Sequence, residues 1–96
     1  MNSELEKTAM SVAVRLKELA DERQRVSEKG FVGLNSLDPA LAALAKDVFQ
    51  DQVHAARWLA DEIRGLGWRT PWECLARGER AEVERVLYAI AYGDFS

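Results

Sequence analysis

The run Leu66-Gly67-Trp68-Arg69-Thr70-Pro71-Trp72-Glu73-Cys74-Leu75 joins a helix stop, a tight loop and a helix start with no slack between them. Gly67 permits the turn. Thr70-Pro71-Trp72-Glu73 reads as a capping box, in which the Thr70 hydroxyl accepts from the Glu73 amide and the Glu73 carboxylate accepts from the Thr70 amide. Pro71 takes the first helical position, where its missing N–H is not needed. Such a corner sets the angle between two helices, and the rest of the chain is patterned to match.

Ahead of it, Leu5, Ala9, Val12, Leu16, Leu19 and Val26 alternate spacings of four and three, interrupted at Arg23. This heptad-like seam predicts a first helix that starts after Ser3, its cap, and runs to about Ser27 or Glu28, laid against its own domain or a neighbouring subunit. Lys29-Gly30-Phe31-Val32-Gly33-Leu34-Asn35-Ser36 breaks the pattern with two glycines. It divides the chain into an N-terminal arm (1–29), a linker (30–37) and a C-terminal helical domain (38–96). Asp38-Pro39 opens a second helix with the inward stripe Leu41, Leu44, Ala45, Val48 and Phe49. Asp51 caps a third, with Ala56, Leu59 and Ile63 inward and Val53 beside them, expected to run through Ile63 or Arg64 and stop at Gly65. A short fourth helix spans Pro71–Ala76. A fifth covers about 79–91, with Val83, Val86, Leu87 and Ile90 inward and Gly93 ending it. The expectation is an all-α fold: a small bundle of about five helices, with a long N-terminal helix and a compact C-terminal four-helix unit.

Composition narrows the function classes. A net charge of −3 lacks the basic surplus of most nucleic-acid modules, which argues mildly against DNA as the main partner. The excess negative charge lies beyond Leu37, because six acidic and six basic residues balance before it. One cysteine allows no internal disulfide, which suits the cytoplasm. No apolar run approaches membrane-spanning length and no signal peptide opens the chain, so no membrane association is expected.

Catalytic chemistry has little to work with. His54 and Cys74 form at most an unsupported pair on different helices, and one His with one Cys makes no zinc site. Gly65-Leu66-Gly67 has neither a preceding strand nor a following Gly-Lys-Ser/Thr, so it reads as a helix cap and turn, not a phosphate loop. No catalytic residue, metal ligand or cofactor is expected. A helix-turn-helix drawn around Gly65–Gly67 would use 71–76 as its reader, and that segment offers Trp72 and Leu75 in place of polar base-reading groups.

The aromatic residues carry more. Trp58 and Trp72 read as core residues, with Trp58 flanking the stripe of the third helix. Trp68 lies in the loop and fits an interface as well as a core, so Trp68-Arg69 is a candidate contact point.

Several of these residues together resemble the C-terminal toxin-binding domain of the Xre/MbcA/ParS-like antitoxins. They are Val48-Phe49 with Asp51, Ala55-Ala56-Arg57-Trp58-Leu59, Leu66-Gly67, Thr70-Pro71, Glu73, Leu75, Gly78, Val83, Val86-Leu87 and Tyr92-Gly93-Asp94-Phe95. The family pattern is Trp-Leu, then Leu-Gly-Gly followed by Thr-Pro, then a helix with spaced Val and Leu. Trp68 replaces its second glycine, which implies a loop conformation that tolerates a side chain. Ala60-Asp61-Glu62-Ile63 replaces the usual Pro-Asn, which implies a continuous third helix. Many relatives carry a DNA-binding helix-turn-helix domain upstream, and the stretch before Asp38 here is mostly one helix.

The resemblance implies an antitoxin that sterically neutralises a partner, commonly a RES-type toxin that consumes NAD. Trp68, Arg69, Tyr92, Asp94, Phe95 and Ser96 would meet the partner, the last three reaching toward an NAD-accepting pocket. A homodimer is implied, and the seam residues Leu5, Val12, Leu16, Leu19 and Val26 could add to it. The alternatives are a transcriptional regulator and a helical dimerisation or adaptor module.

Overall fold

A computed structural model describes residues 3–93. The chain runs α1 (Ser3–Leu37), α2 (Pro39–Phe49), α3 (Gln52–Leu59), a 3₁₀ turn (Arg64–Leu66), α4 (Pro71–Ala76) and α5 (Arg80–Ala91). The all-α expectation holds, with the long N-terminal helix and the short helices packed behind it.

Local capping places most helix starts. The Asp38 carboxylate accepts from the Leu41 amide at 3.2 Å and the Asp51 carboxylate from the His54 amide at 2.8 Å. The capping box forms reciprocally, with Glu73 N–H to Thr70 Oγ1 at 3.1 Å and Thr70 N–H to Glu73 Oε1 at 3.0 Å. All three carboxyls are held below their ordinary values. The Arg80 guanidinium is the main cause at Asp38, the His54 amide at Asp51 and the Thr70 amide at Glu73. A carboxyl with a lowered folded pKa contributes stability above its unfolded pKa, and that contribution is lost as pH falls through the lowered value. The urea midpoint should therefore be flat above about pH 5 and fall progressively below about pH 4. A midpoint unchanged down to about pH 2 would contradict this reading of the caps.

The expected linker is helix. α1 passes through Gly30 and Gly33 without interruption and ends at Leu37, so the break at 30–37 and the helix end near residue 28 are corrected. Ser27, Phe31 and Leu34 sit at helical spacing and are its buried residues. Burying Phe31 and Leu34 outweighs the roughly 1 kcal/mol that a glycine costs inside a helix. Gly30 serves close approach: a Cβ there would lie 3.0 Å from the Trp72 ring.

The third helix is also shorter than expected. It ends at Leu59, and Ile63 lies outside it in extended backbone, paired with Arg69 in an antiparallel bridge. The chain must double back here to bury Leu66, which is a tertiary demand that no helix stripe records. Trp58 lies in the core, tilted against Phe49 with ring centroids 5.4 Å apart, and Val53 is exposed.

The core joins Phe31 and Leu34 of α1 to Leu41, Ala42, Ala45, Ala55, Ala56, Leu59, Leu66, Cys74, Val83, Val86 and Leu87. Ser27, the one buried polar residue among the described residues, donates to the Ala56 carbonyl at 2.5 Å and accepts from the Trp72 indole N–H at 2.8 Å. That hydroxyl links α1, α3 and α4. Ser27→Ala leaves the indole N–H without its acceptor and should cost about 1–3 kcal/mol in urea unfolding. A change within about 0.3 kcal/mol would mean that the hydroxyl is dispensable.

Candidate partner-binding surface

The corner that dominates the sequence becomes a rigid hairpin-like loop. Ile63 N–H donates to Arg69 O at 3.0 Å, and Trp68 N–H donates to Ile63 O at 2.9 Å. Gly67 has φ 68° and Trp68 φ 65°, and Arg69 N–H closes on Leu66 O at 3.4 Å. Two consecutive central residues at positive φ are the signature of a type I′ turn. A Gly-Gly pair meets that requirement at no steric cost. Trp68 does not, so the expectation of a loop adapted to a side chain is corrected: the backbone keeps the glycine conformation and the tryptophan is held in it. The cost is roughly 1–2 kcal/mol.

The neighbours enforce this. Arg85 of α5 donates to Gly65 O at 3.1 Å, and Gly65 packs closely on Val86. The Arg69 guanidinium donates to Leu66 O at 3.0 Å and to Glu79 Oε1 at 2.6 Å, tying the loop to the start of α5. Glu79 in turn raises the Arg69 pKa. Arg69 is half-buried and serves the loop's own structure. Trp68 is 63% exposed.

The remaining predicted contact residues lie elsewhere. Tyr92, at the end of α5, is 78% exposed and stacks on Tyr88 with ring centroids 6.0 Å apart. Tyr88 is itself exposed, and sequence reasoning left it out of the contact set although its i, i+4 spacing to Tyr92 on the outer face of α5 was the available signal. Asp94, Phe95 and Ser96 lie outside the described residues. The seam residues Leu5, Val12, Leu16, Leu19 and Val26 are all exposed along α1.

A concavity invisible in the sequence opens where α1 meets the α3–α4 region. It is a cleft of about 610 Å³ with Val26, Gly30 and Trp72 among its lining and Arg23, Glu62 and Glu73 at its polar positions.

Burial pushes the Cys74 thiol up, away from the reactive thiolate. His54 faces its own cap, with Nδ1 2.8 Å from Asp51 Oδ2. α4 buries Pro71 and Cys74 and half-buries Trp72 and Leu75, so it does not present a reading face. Among the described residues no group of His, Cys, Asp and Glu is placed to hold a metal ion, and no helix is long and apolar enough to cross a membrane.

No curated protein and no solved structure matches the chain. A family model does, that of the antitoxin Xre/MbcA/ParS C-terminal toxin-binding domain, over residues 44–93. The match takes in α3, the left-handed turn, the capping box and α5, the same elements that hold Trp68 and Tyr92 at the surface. With just over half its length matched by that model, the chain belongs to the Xre/MbcA/ParS antitoxin family and carries its toxin-binding domain.

Proposed function

We propose that this protein neutralises a RES-type, NAD-consuming toxin by covering its substrate cleft with the 66–70 turn, the outer face of α5 and the tail beyond it. The observation that carries this reading is Trp68: a large aromatic side chain held in a left-handed conformation and left mostly exposed. Strained backbone persists where the surroundings over-determine it, and it concentrates at functional positions. Exposed, rigidly presented tryptophan and tyrosine are the preferred anchors of protein interfaces. Tyr88 and Tyr92 supply further aromatic area on α5.

The test is co-expression with a RES-type toxin, reading co-purification and cellular NAD. The expected result is a stable complex and restored NAD. A toxin that remains lethal and fails to co-purify would overturn the reading.

A further inference from the structure

We propose that the cleft between α1 and α4 binds a small amphiphilic amine, with its apolar body on Val26, Gly30 and Trp72 and its ammonium group between Glu62 and Glu73. This does not rest on the toxin assignment. The cleft measures about 610 Å³ and its walls are mainly apolar. Sites for small ligands occupy roughly 300–1,000 Å³, and a single basic side chain from a protein partner would leave most of this one empty.

The aromatic wall is fixed in advance. The Trp72 indole N–H donates to Ser27 Oγ at 2.8 Å, and the six-membered ring lies so close over Gly30 that a Cβ there would stand 3.0 Å from Cζ2. Trp72 is still only half-buried, so part of it is left for a ligand. A wall already held in place spends little ordering entropy on binding.

Charge is sorted along the cleft. Ile63 pairs with Arg69 in the antiparallel bridge, so the next positions outward set Glu62 opposite Thr70, the cap of α4. Glu73 is the third residue of α4, and its carboxylate accepts from the Thr70 amide at 3.0 Å. Both carboxylates therefore flank the end where Thr70 and Trp72 stand. Arg23 lines the other end, seven residues before Gly30 on α1 and about 10 Å away along the helix. Neither Glu62 nor Arg23 makes an ion pair among the described residues, so both keep their charge for a ligand.

Two carboxylates beside a tryptophan select an organic cation. The negative face of the ring and the carboxylates attract the same ammonium group, while the apolar body leaves water against Val26 and the ring. An anion would meet Arg23 alone and would lie near two like charges.

Titration of the full chain with phenylbutylammonium, followed at the Gly30 amide and Trp72 indole resonances, tests this. Saturable shifts at both are expected, with a Kd of about 1 mM. Phenylbutanol has the same apolar body without the charge and should bind about tenfold more weakly, with phenylbutyrate weaker still. Glu62→Gln and Glu73→Gln should each weaken the amine about threefold or more and leave phenylbutanol unchanged. Glutamine at position 73 still completes the capping box, so the fold is retained. No saturable shift at Gly30 and Trp72 up to about 10 mM amine overturns the proposal. So does binding of phenylbutanol or phenylbutyrate as tight as that of the amine, or an amine affinity indifferent to both glutamine variants.

Discussion

Phe31→Ala should destabilise the protein by about 3–5 kcal/mol, the range for emptying a fully buried aromatic site. Phe31 has no exposed surface, and with Ser27 and Leu34 it is one of the three buried residues of α1. The cavity would open between α1 and the rest of the core, where Ser27 and Trp72 are joined by a hydrogen bond and cannot slide in to fill it. A chain of 96 residues has a small reserve, since whole domains are stable by about 5–15 kcal/mol. Urea unfolding followed by circular dichroism should show an early, shallow transition. A loss under about 1 kcal/mol would mean that the segment once expected to be a linker is only loosely docked.

Replacing Trp68 should separate folding from binding. Trp68→Ala removes the ring and leaves a β-carbon at φ 65°, whereas Trp68→Gly removes the ring and the strain together. Trp68→Gly should therefore be about 1 kcal/mol more stable than Trp68→Ala. Both variants should weaken toxin binding by about thirtyfold or more, the fold-change corresponding to an interface anchor of about 2 kcal/mol. Isothermal titration against the purified toxin reads the second effect and thermal unfolding the first. Binding unchanged in both variants would remove Trp68 from the interface, and equal stability of the two would show that the turn is not strained.

These two residues also mark the limits of the sequence. The starts of α2, α3 and α4 were legible because Asp38, Asp51 and Thr70 with Glu73 satisfy amides only three residues away, and short-range chemistry leaves a short-range pattern. The inward stripes of α2 and α5 were legible for the same reason, as was the all-α class. The resemblance to the antitoxin family followed from residues spread through that punctuation, and the match over 44–93 agrees with it.

Tertiary structure alone decided the rest. Two glycines argue for a break in α1 until Trp72 is seen against Gly30 and Phe31 in the core, a contact between residues more than forty positions apart. α3 stops early because Ile63 pairs with Arg69 and Leu66 must be buried, although the local pattern would have carried the helix on. Trp68 adopts a glycine's conformation because Arg69 within the turn ties it to Glu79, and Arg85 clamps it from α5. In each case the local preference is worth about 1 kcal/mol, and packing or hydrogen bonding with distant residues supplies more than that. The sequence determined where helices begin; the fold determined where two of them end and which way the one exposed tryptophan is held.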